Sequence, residues 1–273
     1  MKGFVVRGKT ARGRTDFTIG RLEELHRRDP FSYFLLGPTA SFTESVRQEL
    51  LLRGYSLLSD RFVPVWSLAR RLASSIAGEL RQIPEGVCRM ELSAVIQELK
   101  GYVPSARTVG YFREAVNVLK ENMGDLGLAF GGEEAVPQIL LQVYEGLKKR
   151  FQERRYFDMY DAFAIVAENA DKIESGSYGT VLFIDGFNDL SPAMAAFVAK
   201  FMEGFESVYL TVPSDPDRRG LFREAGTLPG LFEGRECENI ELEDGYDGPL
   251  AAVKNSLFRD APLPAGEEVE GVG

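Results

Sequence analysis

The sequence predicts an α/β fold: a parallel sheet with helices on both faces, interrupted by an all-helical insertion. Three observations lead there. Short continuous apolar runs, Tyr33-Phe34-Leu35-Leu36 and Val181-Leu182-Phe183-Ile184, are what strands covered on both faces require. Helical patterns alternate with such runs toward both ends of the chain, the order that builds β-α-β units. Between about 85 and 175 only helical spacing is found. The division that follows is 1–80 for the first half of the α/β domain, 81–176 for the helical insertion and 177–259 for the second half. Residues 260–273, rich in Pro, Gly and Glu, read as a disordered tail.

Residues 3–7 suit a first strand, and the loop Gly8–Thr15 leads to a helix expected over about 16–28. Asp29-Pro30 breaks it, Tyr33–Leu36 forms the second strand, and Gly37-Pro38 ends that strand. Ser41 with Glu44 three residues later predicts a capping box for the helix through Leu52. Phe62-Val63-Pro64-Val65 reads as a third strand, which Pro64 argues against placing centrally, before a helix over about 67–77. In the insertion, Leu92, Val95, Ile96 and Leu99 show helical spacing, as do Phe112, Val116 and Leu119. Ile139, Leu140, Val143, Tyr144 and Leu147 repeat it, followed by Phe163, Val166 and Ala167. Gly131-Gly132 and Ser175-Gly176-Ser177 mark its loops. The α/β pattern resumes with a strand at 181–184 and a helix over 192–204 opened by Ser191-Pro192. A strand at 208–212, short helical pieces around Leu221 and Leu231, a last strand near Ile240 and a last helix over 250–258 complete it.

The chain has 273 residues, enough for a sizeable core, with a formal charge of −9. Much of that charge lies in 233–273, which holds 11 acids against 3 bases, whereas the first 30 residues hold 8 bases against 4 acids. Overall acidity argues against a protein that coats nucleic acid non-specifically, and leaves room for a local basic edge. No apolar run approaches the roughly 20 residues of a membrane-spanning helix, so no membrane association is expected and the cytoplasm is the default location. One histidine, His26, excludes histidine triads and multi-histidine metal sites. Cys88 and Cys237 match no metal or redox spacing and read as buried or partly buried thiols.

Two stretches carry candidate chemistry. Gly8-x-x-x-x-Gly13-Arg14-Thr15 fits the phosphate-loop pattern G-x-x-x-x-G-K-[ST] except that Arg14 replaces the lysine. The pattern works by wrapping backbone N–H groups round phosphate oxygens at a helix N-terminus. Arginine keeps the charge but is wider and planar. Thr15 would hold magnesium. The second stretch is Val181–Asp189, whose Asp185 ends a strand where α/β sheets bind ligands and where an acid would orient the same ion. The next position, which would ready the attacking water, is Gly186. Candidate cofactor-binding residues are therefore Gly8, Gly13, Arg14, Thr15 and Asp185, with Thr15 and Asp185 as magnesium ligands when ATP is bound. No catalytic residue is assigned.

The order of these blocks resembles the N-terminal helicase-like region of the B subunit of bacterial ATP-dependent helicase–nucleases of the AddB/RexB type. That subunit is similar to a superfamily 1, UvrD-like helicase whose motor has decayed, followed by a PD-(D/E)XK nuclease domain. Gly8–Thr15 takes the place of Walker A, and Phe34–Thr39 with Glu44 and Arg47 that of motif Ia. Val63–Arg70 resembles the block with which working helicases touch single-stranded DNA. Leu182-Phe183-Ile184-Asp185-Gly186-Phe187-Asn188-Asp189 matches the family's "IDGF" form of Walker B. The resemblance spans about 3–77 and 155–260. It implies a P-loop NTPase fold of the RecA type, a degenerate site for ATP and magnesium, and a longer protein carrying a nuclease. DNA, as single strands or duplex ends, and a helicase–nuclease partner subunit are the partners it implies. Active relatives read D-E-x-Q-D where this chain has Asp185, Gly186, Asn188 and Asp189, and carry a glutamine-bearing adenine motif with no counterpart here.

The remaining candidates have plainer readings. His26 reads as an exposed helix residue. Asp158 and Asp161 read as a helix cap and a first-turn acid rather than a metal pair. Trp66, Phe62 and Tyr33 could stack bases, but their apolar neighbours favour core packing. Asp215, Asp217, Arg218 and Arg219 read as a solvated turn. Three functions stay open: a non-motor helicase-like scaffold for double-strand-break processing, a working ATP-dependent helicase, and an unrelated α/β interaction module.

Overall fold

A computed structural model of the protein describes residues 1–131, 137–173, 178–243 and 245. In chain order the elements begin β1 (Lys2–Gly8), α1 (Ala11–Arg28), β2 (Tyr33–Gly37), α2 (Ala40–Leu52), β3 (Phe62–Pro64) and α3 (Val65–Ile76). Then come β4 (Arg81–Gln82), α4 (Glu85–Lys100), α5 (Ala106–Glu121), α6 (Leu126–Phe130), α7 (Gln138–Arg154), β5 (Tyr156–Phe157) and α8 (Asp161–Glu168). The last are β6 (Val181–Ile184), α9 (Pro192–Phe201), β7 (Ser207–Pro213) and β8 (Cys237–Glu241). The expected loop at 175–177, helix at 250–258 and tail at 260–273 lie outside the described residues.

The chain divides into two compact units. The first holds Met1–Val65 with the described residues from 178 to Asp189 and from Met202 onward; the second holds residues 66–173 and Leu190–Phe201.

The first unit is an α/β layer structure around a six-stranded sheet in the order β3-β2-β6-β7-β1-β8, every pair parallel. Pro64, which lacks an N–H for a second neighbour, sits on edge strand β3 as its chemistry requires. Strand alternation separates two faces. Tyr33, Leu35 and Phe183 pack with Ile19 and Leu22 of α1 and Val46 and Leu50 of α2. On the same face Phe4, Tyr209 and Phe183 form a stacked ladder across β1, β7 and β6, with centroids 4.5 and 5.0 Å apart. The opposite face receives the 3₁₀ segment Ala225–Phe232, whose Phe232 ring lies so close to Gly3 that a Cβ there would sit 2.5 Å from it.

Two local expectations fail for the same reason. Helix α1 begins at Ala11, five residues early, because Thr10 already caps it, its hydroxyl accepting from Gly13 N at 2.9 Å. Helix α2 likewise begins at Ala40 with Thr39 as cap, accepting from Phe42 N at 3.2 Å, so Ser41 lies inside the helix and Glu44 pairs with Arg47 and Gln48 instead. In both places an upstream threonine closes the turn before the expected cap is reached. Ser191 does cap α9, accepting from Met194 N at 3.3 Å.

The second unit is helical. Leu92, Val95 and Ile96 of α4, Val116 and Leu119 of α5, and Val143 and Leu147 of α7 form its core. Gly146 lets α7 approach α4 closely, since a Cβ there would lie 2.7 Å from Val95. The two-residue strands β4 and β5 pair in parallel, a feature too short to leave a sequence pattern. Helix α8 ends at Glu168 and is followed by a 3₁₀ turn over Ala170–Lys172.

Candidate functional site

The candidate site lies at the carboxyl ends of β1, β6 and β7. In the strand register Val6 faces Thr211, and Ile184 faces Leu210, so Asp185 follows beside Thr211. By strand alternation Phe183 and Asp185 point to one face, as do Tyr209 and Thr211. That face is the one α1 covers. Asp185 is consequently 1% exposed and lies beneath the helix rather than at an open strand end.

Helix α1 presents a row at four-residue spacing: Arg14, Thr18 and Leu22 are buried and His26 is half-buried. Arg14 Nη1 donates to Gly8 O at 2.8 Å, turning the guanidinium back onto the loop that precedes it. Ser214 N donates to the same carbonyl at 3.1 Å. Gly13 N is taken by the Thr10 hydroxyl and Arg14 N by the Thr10 carbonyl. The segment that should wrap a phosphate is therefore already one turn of helix, with these two N–H groups turned inward.

Asp185 Oδ1 accepts from Thr211 Oγ1 at 2.5 Å, and its backbone N–H donates to Leu36 O at 3.1 Å. Its Oδ2 and the Thr18 hydroxyl are both buried without a hydrogen-bond partner. Burial pushes the Asp185 carboxyl up, more strongly than Thr211, Thr18, the Arg14 charge and the Gly186 amide pull it down.

The strand order places a topological switch point between β2 and β6, because the chain leaves β2 toward β3 and β6 toward β7 on the other side. That crevice is filled. Gly186 adopts φ +85°, and a Cβ on it would lie 2.7 Å from the Phe42 ring. A Cβ at Gly37 would meet the same ring and the Thr43 methyl, each at 2.7 Å. The ring of Phe42 thus occupies the space beside the two strand ends.

Of the residues singled out from the sequence, Gly8, Gly13, Arg14 and Asp185 are drawn into one region, and Thr15 is not. One helical step from Arg14, Thr15 faces α2 and lines a groove of about 420 Å³ with Ser45, Glu49 and Arg53. Asn188 and Asp189 are exposed. Thr18, Thr211 and Phe42 were missed by sequence reasoning. The row at 14, 18 and 22 was the available signal for Thr18, and nothing local signals Thr211.

A second group of titratable side chains lies in the helical unit. Arg113, 1% exposed, donates from Nη1 to Asp158 Oδ2 at 2.9 Å and from Nη2 to Glu85 Oε2 at 2.9 Å. Lys120 Nζ donates to Asp158 Oδ2 at 2.8 Å and to Asp161 Oδ2 at 2.9 Å. Asp158 accepts from Tyr160 N and Asp161 N at 2.9 and 3.1 Å and so closes the turn before α8, whose N-cap position falls on Tyr160 rather than on Asp158. Burial alone would raise the Asp158 carboxyl, but Lys120 and Arg113 outweigh it and hold it down at about 2. The pair is thus tied to two cations, and no group of three or more metal-ligating side chains occurs among the described residues.

Other readings need correction. His26 is half-buried and its Nδ1 lies 2.9 Å from Tyr33 Oη. Asp215 and Arg218 are 4% and 5% exposed and form an ion pair, with Arg218 Nε donating to Asp215 Oδ2 at 2.7 Å. That pair is buried, whereas Asp217 and Arg219 of the same turn are exposed as expected. Cys88 is buried as expected, and Cys237 is exposed on edge strand β8. Tyr33 and Phe62 are core residues, and Trp66 packs edge-on to Tyr160 with centroids 5.3 Å apart.

No protein-family model matches the chain, and no curated protein matches it.

Proposed function

We propose that this chain is the helicase-like, non-motor scaffold of a DNA-repair helicase–nuclease, handling DNA and a partner subunit with little or no ATP hydrolysis. The carrying observation is the Arg14–Gly8 contact over a buried Asp185. The parallel sheet, with a glycine-ended first strand and an acid-ended β6 two positions away, supports a P-loop ancestry of the RecA type. The loop itself does not fit a magnesium–nucleotide complex. Magnesium needs carboxylate and hydroxyl oxygens presented together to a cleft. Here Asp185 is under α1 and Thr15 faces α2. Gly186 has neither the carboxylate nor the room to gain one without moving Phe42. A nucleotide-driven motor needs electrostatic stabilisation of the transferring phosphoryl group, and these departures remove it.

DNA handling is tested by titrating the full chain, without nucleotide, into labelled single-stranded and flush-ended duplex oligonucleotides at about 50 mM salt, where phosphate contacts are least screened. Saturable, salt-sensitive binding to either is expected. Absence of binding to both, with the chain folded, overturns the DNA-handling part of the proposal.

A further inference from the structure

The helical unit contains a second cavity, of about 420 Å³, that no part of the proposed scaffold role uses. It lies among α7, β5, α8 and α9. Tyr144, Phe151, Tyr156 and Tyr160 line it together with Ala164, Ala193 and Ala196. It is a groove open to solvent, with Lys148, Ala164 and Glu168 exposed along it. The volume falls in the lower part of the range for small-molecule sites.

The polar groups in the groove narrow the ligand. Lys120, Lys148, Asp161 and Glu168 line it, two cations against two carboxylates, so no net charge is asked of an occupant. Lys120 is already committed: it binds Asp158 and Asp161 and stands 4.7 Å from the centre of the Phe151 ring. Asp161 is less well served. Its oxygens accept from Lys120 and from Asp158 N at 3.0 Å, and a carboxylate has about four acceptor positions. Burial pushes its carboxyl up even with Lys120 beside it. A further N–H donor would therefore be favourable there. Burial also raises Tyr144 and Tyr160, which keeps both phenols neutral.

We propose that this groove binds a neutral, planar aromatic small molecule of one or two rings, stacked against Tyr144 with a ring N–H donated to Asp161. The aromatic side chains of the groove supply offset or edge contacts. The site is independent of nucleotide and of DNA.

Indole is the probe, titrated into the full chain with ligand-detected NMR and followed in parallel by thermal unfolding. Nine non-hydrogen atoms set a Kd on the order of 0.1–1 mM. Saturable binding in that range is expected, with 1-methylindole, which lacks the N–H, binding at least about tenfold more weakly, as the loss of one hydrogen bond to a carboxylate predicts. Ala164→Phe, at an exposed position of α8, and Ala196→Leu, on α9, each place bulk in the groove. Each is expected to abolish indole binding with the helical unit still folded. No saturable binding of indole to the wild-type chain overturns the proposal. So does indole binding that survives both filling variants, or equal binding of indole and 1-methylindole.

Discussion

Arg14 and Gly8 close on one another: the guanidinium Nη1 donates to the glycine carbonyl at 2.8 Å, and Arg14 is 7% exposed. In a phosphate loop the cation at this position faces outward to ligand oxygens; here its partner is the chain itself. Arg14→Ala removes a charge-assisted bond from a buried carbonyl. A loss of about 1.5–3 kcal/mol in chemical denaturation is expected. Addition of ATP with magnesium is expected to leave the unfolding midpoint of both proteins unchanged. A clear nucleotide-induced rise in the wild type that Arg14→Ala abolishes would show an intact site.

Gly186 and Phe42 make a steric pair. Any side chain at 186 meets φ +85° and the Phe42 ring together. Gly186→Ala is expected to cost about 1–2 kcal/mol from backbone conformation alone. The ring clash adds to that. Phe42→Ala in the same chain is expected to recover the clash part but not the backbone part, giving non-additive unfolding energies. Additive losses would mean that ring and glycine do not touch.

Asp185 sets a pH dependence of one sign. Its folded-state pKa is raised, chiefly by burial. Its contribution is therefore fully present below the unfolded value near 4 and is lost as pH rises through the folded value. Asp185→Asn keeps an acceptor for Thr211 and offers Thr18 a donor. At pH 7–8 the variant is expected to match or exceed wild type by about 1 kcal/mol, and the advantage is expected to vanish toward pH 4. Denaturant midpoints across that range check it; a variant less stable than wild type at pH 8 contradicts it.

Asp158 has the opposite sign. Its carboxyl is held at about 2 by Lys120 and Arg113 against the effect of burial. Its stabilisation is present above the unfolded value near 4 and is lost as pH falls toward 2. Asp158→Asn leaves two buried cations without this partner and is expected to cost about 3–5 kcal/mol. Acid titration of the helical signal should lose its step between about pH 4 and 2 in the variant. Persistence of the full step would assign it to another group.

Much of the sheet was readable because apolar runs and their stops are local. Leu182–Ile184 is buried as a central strand must be, and Pro64 falls on an edge. Helix starts were less readable where two cap residues compete, as Thr39 with Ser41 and Thr10 with the longer loop. That second competition decides the site, since it turns a loop into helix and rotates Thr15 away from Asp185. Arg113 and Lys120 were beyond reach because their partner Asp158 lies 45 and 38 residues away. The Asp215–Arg218 pair reads as surface in sequence because both residues are charged; burial comes from packing that spacing does not encode.

A motor must turn over nucleotide. The direct measurement is ATP hydrolysis by the full chain with magnesium, in the presence and absence of single-stranded DNA, beside Asp185→Ala. No DNA-stimulated turnover is expected, and the variant should be indistinguishable from wild type. DNA-stimulated turnover on the order of 1 per second, a typical enzymatic rate, that disappears in Asp185→Ala would contradict the non-motor role.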